Sequence, residues 1–183
     1  MATVPQPAHR SRGRALLGSV VSTRKDDLPV DVALVAVRAA LAWIFIYYGA
    51  GKLFGSFNGP GMHQTTLFFA NTAHLRPGGL FAVVGGIIEF GGGIAVAFGL
   101  GARLVGVALF VDMVMAMITV TWTNGINSEK VPPGYELNVA LAVLAFVIVV
   151  LGAGRFSADA LAERRVVAKG KVGQHAERYA AGC

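Results

Sequence analysis

Residues Leu80 to Leu100 read LFAVVGGIIEFGGGIAVAFGL, an apolar run with a single charge, Glu89, near its middle. A helix needs roughly 20 apolar residues to cross a hydrocarbon core of about 30 Å. In lipid the backbone must hydrogen-bond to itself, so such a run is read as a transmembrane helix. Three more stretches have the same character. They are Val30 to Tyr48 (VDVALVAVRAALAWIFIYY), continuing toward Leu53; Leu104 to Trp122 (LVGVALFVDMVMAMITVTW); and Leu137 to Gly152 (LNVALAVLAFVIVVLG), which Tyr135 and Glu136 extend. Each is apolar all round, whereas the helices of a water-soluble bundle carry a polar face. Only 14% of the residues are charged, against about 25% in a soluble domain. The fold expected is an all-α membrane protein. Its core, residues 30–153, is a four-transmembrane-helix bundle with spans at about 30–53, 79–100, 104–122 and 135–152.

The basic residues set the expected topology. Arg10, Arg12, Arg14, Arg24 and Lys25 lie in the arm 1–29, and Arg155, Arg164, Arg165, Lys169, Lys171 and Arg178 in the tail 154–183. Arg103 joins them from the short turn between the second and third spans, whereas the opposite side holds Lys52, Arg76 and Lys130. Arm and tail are therefore expected in the cytoplasm, and an even number of spans agrees. The arm lacks the long apolar region and cleavage site of a signal peptide. Topology explains the charge of +6 without nucleic acid. The connection from Gly55 to Gly79 contains HQTTLFFANTAHL, too short to span, and is expected to form a short interfacial helix with Leu67, Phe68 and Phe69 facing lipid or the bundle.

Ionisable groups inside a span are costly and usually face the bundle interior or a wet cavity. Counted from the cytoplasmic end of each span, Arg38 lies about 12 Å deep, Asp112 about 13 Å and Glu89 about 16 Å. These three are expected to form an intramembrane polar site in which one guanidinium meets two carboxylates. Two acids beside one cation leave a surplus negative charge, which a proton or a second cation would balance. Lys52 at the end of the first span and Glu136 at the start of the fourth are expected to form an outer polar pair. Trp43, Tyr48 and Gly49 are candidates to flank a ring-shaped ligand, although aromatic residues near span ends usually anchor the interface. His63 and His74 lack a third ligand or a haem motif. Cys183 is the only cysteine, so no cluster or disulfide framework is encoded. No intrinsic cofactor and no metal site are expected.

Four segments together resemble the DoxX family of small bacterial membrane proteins. They are Arg38 followed by YGAGKLFG (Tyr48 to Gly55), GGIIEFGGGIAVAFGLGAR (Gly85 to Arg103), GYEL (Gly134 to Leu137) and GAGRFSAD (Gly152 to Asp159). Arg38, Lys52, Glu89, Arg103 and Glu136 match that family's charged motif residues. The resemblance implies a four-helix protein of the bacterial inner membrane. It further implies a subunit of a redox, oxidative-stress or sulfur-metabolism assembly, and relatives are associated with thiosulfate:quinone oxidoreduction. The partners it implies are the lipid bilayer, a superoxide dismutase and a sulfurtransferase, with a homo-oligomer as a further expectation. Quinone is the expected ligand, held between the helices. Catalysis by the chain alone is not expected, since electron carriers would come from partners. The rival readings are a small oligomeric transporter or channel using an intramembrane carboxylate, and a non-catalytic scaffold.

Overall fold

The computed structural model describes residues 28–127, 129 and 131–164. The basic arm up to residue 27, the tail from Arg165 to Cys183, and Lys130 lie outside the described residues. The helices that follow are α1 (Leu28–Phe54), α2 (Gly61–Asn71), α3 (Gly78–Phe98), α4 (Ala102–Ala116) and α5 (Glu136–Leu151), and residues 158–164 are also helical. α4 runs on through a π-helical stretch, Met117–Thr121, and a 3-10 turn, Trp122–Asn124. No strand occurs among the described residues. Leu28–Phe54, Gly78–Phe98 and Ala102–Asn124 are long and apolar enough to cross a bilayer, and Glu136–Leu151 is a shorter apolar helix of 16 residues.

The most extensive pairings are α1 with α3 and α4 with α5. Glycine makes both possible, because a missing side chain lets two backbones approach. Gly49 of α1 lies directly on the backbone of Phe90. A Cβ at Gly93 of α3 would fall 2.9 Å from Ile46 Cγ1 and 3.2 Å from Phe45 Cβ. In the other pair, a Cβ at Gly106 would meet the Ala145 carbonyl at 3.2 Å and Val149 Cγ2 at 3.1 Å. Phe45, Leu41, Leu109, Ile148 and Val96 are fully buried where the two pairs meet. Trp43, Ile87, Leu104, Phe146 and Val150 are exposed on the outer faces. Such an apolar exterior suits helices solvated by lipid.

Two antiparallel contacts set the axial register of α1 on α3: Gly49 on Phe90, and Leu53 on Gly86. α1 ends at Phe54, one residue past the level of Gly86, and residues 78–85 of α3 run on alone for about 12 Å. The short helix α2 fills that place. Gly78 sits against the Thr66 carbonyl and Ala70, and Gly59 rests on the backbone of Gly51. Leu67 and Phe68 are exposed, while Phe69 turns inward toward Gly85.

At the opposite end α3 stops at Gly99, whose φ of 66° is left-handed. There the Gly99 N–H bonds the Val96 carbonyl and the Leu100 N–H bonds the Ala95 carbonyl, a glycine-ended helix C-terminus. α4 starts at once, and its first amides are capped from far along the chain. The Asp159 carboxylate accepts from Gly101 N–H at 2.9 Å and from Ala102 N–H at 3.1 Å. This supplies both hydrogen bonds and negative charge at a helix N-terminus.

The tight seam predicts a sharp contrast between neighbouring glycines of α3. Gly93→Val should cost about 1–3 kcal/mol through overpacking and lower the melting temperature in mild detergent. Gly91→Ala, where an added Cβ meets nothing within 4 Å, should leave the melting temperature unchanged or raise it slightly.

Candidate functional site

Arg38 is buried, yet its guanidinium faces carbonyl oxygens rather than acids. Nε donates to Val96 O at 2.9 Å and Nη2 to Ala97 O at 2.6 Å. Nη1 donates to Ala153 O at 3.0 Å and Phe156 O at 2.8 Å. The last carbonyls of a helix lack intrahelical donors and carry the negative end of its dipole. Arg38 thus caps α3 and holds the segment after α5 to α1. The expected meeting of Arg38 with Glu89 and Asp112 is corrected by this geometry. The reason is register: α1 begins at Leu28, about 15 Å before Arg38, so α1 overshoots the end of α3. Depths counted from the ends of unequal helices do not align.

The same end holds a second latch. Asp31 accepts from the Arg155 backbone N–H at 2.9 Å, and its other carboxylate oxygen lies 3.7 Å from Arg155 Nε. Arg103 Nε stands 3.5 Å from where a Cβ at Gly152 would lie. Sequence reasoning gave Asp31 and Asp159 no part. Asp31 carried a signal, an acid in the first turn of an apolar helix.

The cation that meets the acids is Lys52. Its ammonium pairs with Glu89 Oε1, and the expected pairing with Glu136 is replaced by this one. A helical side chain leans toward its own N-terminus. Lys52 therefore reaches inward along α3 from the level of Gly86 to Glu89. The Glu89 side chain is 4% exposed and that of Lys52 28%, so the pair opens only on the lysine side.

Asp112 of α4 completes the cluster. Its Oδ1 lies 3.9 Å from the position of a Cβ on Gly85, one turn before Glu89 on the same face of α3. Its carboxyl is within hydrogen-bonding reach of Glu89 and in the field of Lys52. Glu89 Oε2 and Asp112 Oδ2 are both buried and have no hydrogen-bond partner. As two carboxylates neither can donate to the other. α2 covers the cluster from the loop side. Thr65, buried there, donates to Gly61 O at 2.7 Å and approaches Lys52 O at 3.4 Å. The Phe69 ring also reaches Gly85, with Cζ 3.7 Å from the same Cβ position. Thr65 and Phe69 were not singled out from sequence, because nothing local says that α2 turns back onto α3.

The remaining candidates lie elsewhere. Trp43 is 77% exposed, and nine residues at about 100° each put it on the face opposite Lys52. Tyr48 is exposed and meets Tyr47 edge to face, whereas Gly49 is buried in the α1–α3 seam. His63 lies in the first turn of α2 and His74 beyond its end, both exposed. Among the described residues no group of three or more His, Cys, Asp or Glu could hold a metal ion. Glu136 opens α5 just after Tyr135, whose ring stacks on Trp122 at 5.4 Å.

Fold and cluster together define a multi-pass, all-α membrane protein with a lysine and two acids gathered between its helices. A family model for DoxX matches residues 33–122. The chain belongs to the DoxX family over that stretch, which takes in α1 from residue 33, the whole of α2, α3 and α4, and the Lys52–Glu89–Asp112 cluster. The GYEL and GAGRFSAD segments fall beyond the match. No curated protein and no solved structure matches significantly.

The capping role of Arg38 predicts a structural phenotype. Arg38→Gln leaves buried carbonyls without donors and should destabilise the protein by about 1–3 kcal/mol for each one left unsatisfied. Arg38→Lys cannot fork to four acceptors and should rescue only part of that loss, read as melting temperature in detergent.

Proposed function

We propose that this chain is the membrane subunit of a redox assembly and that the Lys52–Glu89–Asp112 cluster receives the head group of a quinol or quinone. The observation that carries this reading is the pair of buried, unpartnered oxygens, Glu89 Oε2 and Asp112 Oδ2. A buried acceptor without a donor is costly, so the site calls for a proton held between the two acids or for a ligand that donates. A quinol hydroxyl does so. The oxidised ring offers carbonyls instead, and the Lys52 ammonium is the donor placed to meet them. Both redox forms thus find a complement within one cluster, and carboxylates beside a quinol are suited to take up the protons that its oxidation releases. The single cysteine of the sequence provides no cluster-binding set, so in this reading the electrons pass to partner proteins. The family resemblance suggests a dismutase or a sulfurtransferase. The excess of arginine and lysine in arm and tail supports an inner-membrane location with both termini in the cytoplasm.

The test is binding of a short-chain quinol to the purified protein, with native mass spectrometry of the ligand retained from the membrane. Losing a charge-assisted hydrogen bond costs about 1.5–3 kcal/mol. Glu89→Gln and Asp112→Asn should therefore weaken binding roughly 10- to 100-fold. Trp43→Ala, on the opposite face, should have no effect. Proteoliposome proton flux abolished by Glu89→Gln, with no quinol binding by the wild type, would replace this reading with a transport function.

A further inference from the structure

The end of the bundle that Arg38 ties together contains an open groove of about 540 Å³. Its cationic side is formed by Arg155 and Arg164 over Arg38, and its apolar side by Phe98, Phe156 and Leu161. Among the described residues no acidic side chain lines it. The nearby acids are engaged elsewhere: Asp31 on Arg155, and Asp159 on the first amides of α4. The donors of Arg38 go to the carbonyls of Val96, Ala97, Ala153 and Phe156, so it contributes charge to the floor rather than contacts. The Arg155 side chain is 41% exposed, and Arg164 is exposed on the helical stretch 158–164.

The apolar wall is as telling as the charge. Phe98, Phe156 and Leu161 are 63%, 58% and 56% exposed. Phe98 is the last residue of the spanning helix α3, so this wall stands where hydrocarbon gives way to head groups. Two exposed guanidinium groups, that of Arg155 with only its Nε side toward Asp31, stand beside three bare apolar side chains at that level and match an amphiphile with an anionic head. A groove of this volume falls within the range of small-ligand sites, about 300–1,000 Å³. Arginine is the side chain suited to forked contact with phosphate oxygens.

We propose that this groove binds the phosphate head group of an anionic phospholipid, with Arg155 and Arg164 on the phosphate and Phe98, Phe156 and Leu161 against the first methylenes of its chains. The site is separate from the Lys52–Glu89–Asp112 cluster. Its floor and walls come from α1, α3 and the segment after α5, so the lipid fastens that segment in place together with Arg38.

The experiment uses the full-length protein, delipidated in a zwitterionic detergent. Phosphatidylglycerol should raise the melting temperature and remain bound in native mass spectra, while phosphatidylcholine and inorganic phosphate should do neither. Arg155→Gln with Arg164→Gln should weaken phosphatidylglycerol binding about tenfold or more, at roughly 1 kcal/mol per arginine. The double variant keeps the Arg155 backbone N–H on Asp31, and Arg164→Gln alone changes only an exposed side chain. A photoactivatable phosphatidylglycerol should label Phe98, Phe156 or Leu161. Equal stabilisation by inorganic phosphate would make this a free-anion site and overturn the lipid assignment. Equal retention of phosphatidylcholine, undiminished binding by the double variant, or labelling confined to residues beyond Arg164 would each overturn the groove as the site.

Discussion

Gly49 and Gly93 let α1 and α3 touch backbone to backbone, and the rest of the molecule depends on the register that this contact imposes. Two helices locked at such close range cannot slide, because any axial shift would drive a side chain into the opposing main chain. The lock decides that Arg38 arrives at the end of α3 and that Lys52 arrives beside Glu89. It also leaves the first two turns of α3 uncovered by α1, which is the place that α2 occupies. A short helix too small to span is thereby built into the bundle, and Thr65 and Phe69 become walls of the polar cluster.

The two cations within α1, Arg38 buried and Lys52 half-buried, are treated differently, and the difference follows from their surroundings. Arg38 meets carbonyl oxygens, neutral dipoles that a helix terminus leaves without donors. Its charge is shared over four hydrogen bonds, with the Asp159 carboxylate acting on it from nearby. Lys52 meets two carboxyls, of which only one oxygen is seen to pair with it. Charge counting there leaves an excess of one negative charge, and hydrogen-bond counting leaves two acceptors without a donor. The first arrangement is complete as it stands and reads as architecture. The second is incomplete, and incompleteness at a buried site is what suggests a ligand or a proton.

The glycines near the Arg38 end serve the same architectural role. Gly99 and Gly101 turn α3 into α4 within a few residues, leaving the new helix with open amides that Asp159 closes from the distal segment. Arg38, Asp31 and Asp159 thus join parts of the chain that are remote in sequence. The resulting junction also shapes the basic groove, whose floor is the Arg38-capped end of α3.

The class of fold was legible in the residues alone. The run Leu80 to Leu100 and the runs from Val30 and Leu104 are long and apolar enough to be read as helices in lipid, since local backbone bonding and transfer energy settle that without reference to partners, and the shorter fourth run shares their composition. The presence of buried ionisable groups at Arg38, Glu89 and Asp112 was equally legible, because a charge inside an apolar run stands out in one dimension. Which of them meet was not. Counting residues from span ends placed Arg38 with the acids and Lys52 with Glu136. Pairing depends on how far one helix overshoots another, and that is a property of packing between glycine faces, not of any helix by itself. The sequence determined that charges lie within the membrane-spanning helices. Only the tertiary structure decided that arginine closes helix ends while lysine faces the acids, because axial register is set where two backbones touch.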